Sequence, residues 1–134
     1  MKEQNNNNNA GDILQWTSCL FAIVVLWAYA YGNAWYHNTF LLVTVMSLLR
    51  WTSPSPSTVV IMMDKAIAHW AFALVLWDTE RVIYRQTHLW LLIFPLCVSI
   101  LWTLEFFLEE VAVRLHAALH VVSAVGACLY IFYL

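Results

Sequence analysis

Charge is what this chain has least of. Only 10% of its 134 residues are Asp, Glu, Lys or Arg, six basic against eight acidic. A water-soluble domain devotes about a quarter of its residues to charge, so this composition excludes a soluble fold of this length. There is no Lys/Arg cluster, and with a formal net charge of -2 the chain offers no basic surface to nucleic acid. Cysteine is also scarce. Cys19, Cys97 and Cys128 each lie inside an apolar run without ligand-like spacing, which reads as packing and leaves the redox compartment undefined. The opening stretch "MKEQNNNNNAGD" has neither a basic n-region nor a small-residue cleavage site. Residues 1–12 therefore read as a disordered polar tail, and the apolar run after them as a retained helix rather than a removable signal.

What is abundant is apolar side chain: 63% of residues, with a mean hydropathy of +0.70. A membrane-crossing helix needs about 20 mostly apolar residues. Apolar runs cover about Ile13–Tyr31, Thr39–Trp51, Val59–Trp77, Leu89–Leu104 and Val111–Leu134. The expectation is an all-α, multi-pass membrane bundle of about five helices, a single domain over 13–134, with four helices as the alternative count. Pro54 and Pro56 favour an extended turn before a third helix capped by Ser57 or Thr58. Pro95 is expected to kink the fourth helix. Trp35, Tyr36, Trp51, Trp77 and Tyr84, near the ends of runs, suit interfacial belts.

Five passes turn the polar residues into a geometric expectation. Ser47 lies near the end of the second helix, Asp64 near the start of the third and His116 near the start of the fifth. At 1.5 Å per residue all three sit within about 8 Å of one membrane face, with His69 and His120 about 14 to 16 Å deep. His37 and His88 fall on the opposite side. His116 and His120 are an i,i+4 pair, projecting from one helix face like two ligands of one metal, with Ser123 and Ala127 extending the same small, polar stripe. A charge in hydrocarbon costs at least roughly 2.5 to 3.5 kcal/mol, so Asp64 points either to function or to an ion pair with Arg50 or Arg114. Two histidines bonded to neighbouring helices are the plainer alternative to a metal pair. Lys65 reads as snorkelling to the interface. Glu105, Glu109 and Glu110 read as a solvated helix junction, with a role behind a metal ligand as the alternative.

The order of "VTVMSLLRW", "IMMDKAIAHW" and "LHAALHVVSAVG" resembles the CREST superfamily of membrane hydrolases, which includes alkaline ceramidases and progestin and adiponectin receptors. The last segment is most similar to the ceramidases. The resemblance covers the second, third and fifth helices, in families that have seven. It implies a zinc ion held by His116 and His120, with Asp64 and Ser47 as catalytic residues acting on the metal-bound water. The family's third histidine follows the serine by four residues, where this chain has Trp51. His69, or Asp64 as a carboxylate ligand, would have to stand in.

On this resemblance the chain is expected to be a zinc-dependent lipid amide hydrolase acting on a ceramide-like membrane lipid, in ER or Golgi membranes. Two alternatives stand beside it. One is a non-catalytic CREST-like scaffold or lipid-binding membrane protein, which Trp51 favours. The other is a haem-binding anchor using His69 and a last-helix histidine. Both a single bundle and an oligomer remain open.

Overall fold

The computed structural model describes residues 11–85 and 88–133, and these form helices and turns without a strand among them. Of the expected tail at residues 1–12, residues 1–10 lie outside them, whereas Gly11 and Asp12 already belong to the first helix. Among the described residues there are five helices: α1 over Gly11–Ala30, α2 over Ala34–Thr52, α3 over Thr58–Arg85, α4 over Ile93–Phe107 and α5 over Ala112–Tyr133. Short 3-10 turns, Leu89–Leu92 and Glu109–Val111, lead into α4 and α5. Four helical stretches are long and apolar enough to cross a membrane: Gly11–Ala30, Thr58–Arg81, Leu89–Phe107 and Ala112–Tyr133. The chain is thus an all-α bundle of membrane-protein character. The remaining helix, α2, has 19 residues, about 28 Å at 1.5 Å each, and packs along α1 and α3.

Local chemistry sets the helix ends. α1 stops where Gly32 takes a left-handed φ of +67°, a conformation that costs a residue with a Cβ, and the Asn33 N–H closes the end on the Ala28 carbonyl at 2.9 Å. The Asn33 side chain then caps α2 by accepting from the Tyr36 N–H at 3.2 Å. Ser57 accepts from the Val60 N–H at 3.4 Å at the start of α3, as the sequence suggests. Pro95 falls in the first turn of α4, where its missing N–H removes no intrahelical bond, so the expected mid-helix kink has no cause there. The irregular turn in this bundle is instead at Cys19 in α1. Just before it, Thr17 and Ser18 both donate to the Leu14 carbonyl, at 3.2 and 2.7 Å, and such back-bonding bends helices.

The helices form an open arc in the order α3, α2, α1, α5, α4. Neighbours along the arc pack closely, whereas α3 touches α4 and α5 only sparsely. The core lies on the inside of the arc, where Phe21, Val24 and Ala28 of α1 meet Tyr36, Phe40 and Val43 of α2, with Ala124, Ala127 and Tyr130 of α5. Tyr36 is fully buried there, so it does not belong to the interfacial belt, while Trp35, Trp77 and Tyr84 are exposed as expected. α5 comes close to α4 at Gly126, where an added Cβ would lie 2.9 Å from Phe94. At the far end of the bundle the Tyr130 hydroxyl bonds to Thr79 at 2.9 Å and donates to the Leu91 carbonyl at 3.4 Å, tying α3 and α5 to the turn before α4.

Candidate functional site: a cavity with one polar end

The gap between α3 and the α4–α5 pair is a cavity of about 700 Å³. Ser47, Asp64, His69, His116 and His120, which lie on three helices, all line it, together with Arg50, Lys65, Glu105 and Ser123. Its other walls are apolar, including Phe40, Phe72, Val75, Phe94, Val98 and Ala127. Position along the helices separates the two classes. Asp64 and His116 are in the first two turns of α3 and α5, and Ser47, Arg50 and Glu105 are in the last two of α2 and α4. Val75, Phe94 and Ala127 lie about 16 Å further in, by 1.5 Å per residue. The cavity is therefore polar at one end and hydrocarbon-like at the other.

Arg50, Asp64, Ser47, Glu105 and His116 at that end have defined partners. Arg50 Nη1 donates to Asp64 Oδ2 at 2.8 Å, and both side chains are largely buried, at 18% and 10% exposure. This is the ion pair that makes a buried Asp64 affordable. The Arg50 guanidinium also lies over the Trp51 ring, 4.4 Å from its centroid. Ser18 spends its proton on the Leu14 carbonyl, so in the 2.9 Å contact between Ser18 and Ser47 it is Ser47 that donates.

Both histidines have partners at Nδ1. The Thr17 hydroxyl lies 3.0 Å from His120 Nδ1 and 3.2 Å from the Leu14 carbonyl. Both Glu105 oxygens lie 3.0 Å from His116 Nδ1, which therefore carries the proton they accept. The rings stand edge to face, 4.7 Å between centroids, and Phe21 packs edge-on against His120 at 5.1 Å.

His69 does not join this pair. Its Nδ1 is 2.6 Å from the Lys65 carbonyl one turn back, and its ring lies on Trp102 of α4, 4.4 Å between centroids. Trp51 stands edge-on to His116, 5.6 Å between ring centroids, and its indole offers no lone pair. Among the described residues no three His, Cys, Asp or Glu side chains gather closely enough to hold a metal. Catalytic zinc takes three protein ligands, so a donor set of two imidazoles does not fit it.

Thr17, Ser18 and the pairing of Glu105 escape a reading of the sequence aimed at the histidines. Thr17 and Ser18 are short hydroxyl residues within an apolar run, and nothing in the run itself says which neighbouring helix they meet. His37 bonds to the Val25 carbonyl at 3.2 Å, and neither it nor His88 lines the cavity. Comparison of the chain with protein-family models, curated proteins and solved structures gives no match.

Proposed function

We propose that the bundle binds one lipid amphiphile in this cavity, its polar group at the Arg50–Asp64 and Glu105–His116 end and its acyl chain among Phe72, Val75, Phe94 and Val98. The supporting observation is the one-ended polarity of the cavity. A volume of about 700 Å³ lies within the roughly 300 to 1,000 Å³ typical of pockets that enclose a single small ligand. The sparse contact between α3 and α4 gives the chain a way in from the bilayer. The test is labelling of the protein in nanodiscs by a diazirine-bearing N-acyl amphiphile. Label is expected on α3 and α4 peptides and should fall about tenfold in Ala68→Trp and Ser123→Trp, which fill the cavity. Equal labelling of these variants would place the lipid on the outer surface and overturn the reading.

A second reading is hydrolysis of a lipid amide of ceramide type. It is favoured by the lining of one cavity by all of Ser47, Asp64, His116 and His120, the residues on which the CREST resemblance rests. Release of free fatty acid from a ceramide-type amide, followed by mass spectrometry, tests it. Fatty acid at the level of protein-free nanodiscs would remove it.

A further inference from the structure

We infer that the catalytic base of this cavity is His116, with Glu105 as its positioning residue, and that the pair works without a metal. The inference rests on the hydrolase reading and replaces the zinc-bound water that the resemblance implies. Three observations carry it. Both Glu105 oxygens sit on His116 Nδ1, across the junction of α4 and α5, and both residues line the cavity at its polar end. No protein group occupies His116 Nε2 among the described residues, so its lone pair is open to a ligand there. The third-ligand position is filled by Trp51, which packs against the imidazole and cannot compete for a metal.

The partners also say which of the two histidines is the base. Taking a proton turns imidazole into imidazolium, and a carboxylate at Nδ1 stabilises that charge. Glu105 does this for His116, whereas His120 has only the neutral Thr17 hydroxyl. This is the base-and-orienter arrangement of hydrolytic enzymes. In the step, a water oxygen bonds to the lipid's carbonyl carbon as His116 Nε2 takes the water proton. The tetrahedral species then collapses, the C–N bond breaks, and the proton on Nε2 passes to the leaving nitrogen. One water and one amide become a fatty acid and an amine, and His116 ends neutral.

The experiment uses the full chain in nanodiscs, stripped of metal by dipicolinate dialysis, with a long-chain acyl amide of an aminocoumarin as the probe. Turnover is expected to survive stripping. Glu105→Ala and His116→Ala should each lower kcat by about 100-fold or more, a larger effect than on KM, and the double variant should be no worse than the singles. A second readout is ¹⁵N NMR of ring-labelled histidine. The neutral Nδ1–H form of His116 is expected in the wild type and in Glu105→Gln, whose amide oxygen can still accept, and is lost in Glu105→Ala. Turnover that disappears on stripping and returns with zinc overturns the inference, as does an unchanged tautomer in Glu105→Ala. Absent turnover with amphiphile labelling intact also overturns it, while leaving lipid binding standing; absent labelling removes the cavity reading itself.

Discussion

At the scale of single residues, the site is defined as much by Trp51 as by the histidines. A tryptophan N–H donates and never ligates, and here the indole Nε1 is buried without a partner among the described residues. Trp51→His should supply the missing third imidazole beside His116. Elemental analysis of purified protein is expected to show zinc near one per chain in that variant and well below it in the wild type. Stoichiometric zinc in the wild type would mean that the two-histidine donor set is completed in a way this geometry does not contain. Arg50 and Asp64 form the other consequential pair. Arg50→Ala leaves a carboxylate largely buried and uncompensated, and the cost is expected to be roughly 2 to 4 kcal/mol, somewhat below that of a fully buried pair because Arg50 keeps some water. Thermal unfolding in detergent measures this, and Arg50→Met with Asp64→Leu should recover most of the loss.

At the scale of elements, two glycines have separate jobs. Gly126 lets α5 approach α4, and Gly126→Leu would drive a side chain into Phe94, an overpacking worth about 1 to 3 kcal/mol. Gly32 has open space around it but a left-handed backbone, so Gly32→Ala should cost about 1 to 2 kcal/mol through conformation alone. Melting temperatures of the two variants separate packing from backbone, because only Gly126→Leu is expected to be rescued by a smaller residue at position 94. The break in α1 belongs to this scale as well. Thr17 and Ser18, just before the irregular turn at Cys19, supply the hydroxyls that meet His120 and Ser47.

At the scale of the whole molecule, the arc of helices places Asp64, His116 and the loop between α2 and α3 at one end of the bundle and His88 at the other. If all five helices cross, Asp12→Cys and Ser55→Cys in a background lacking the native cysteines should react with a membrane-impermeant maleimide from one side, and His88→Cys from the other. The decisive comparison is Asn33→Cys, before α2. It should label with His88→Cys; labelling with Ser55→Cys would show that α2 lies within the bundle without crossing.

The sequence by itself determined the solvent, the number of helices and the depth of the polar residues. These follow from composition and from a fixed rise per residue, and they suffice to place Ser47, Asp64 and His116 near one face, with His120 deeper. The tertiary structure alone decided which of them are partners. Rotation about each helix axis and the lateral order of helices come from packing, which no single-helix period encodes. That is why Tyr36 could be assigned to a belt yet lie in the core, and why His69, level with His120 by count, stacks instead on Trp102. It is also why Glu105, legible as part of a junction, is in fact the group that orients His116: a contact between two helices exists only once both have been packed.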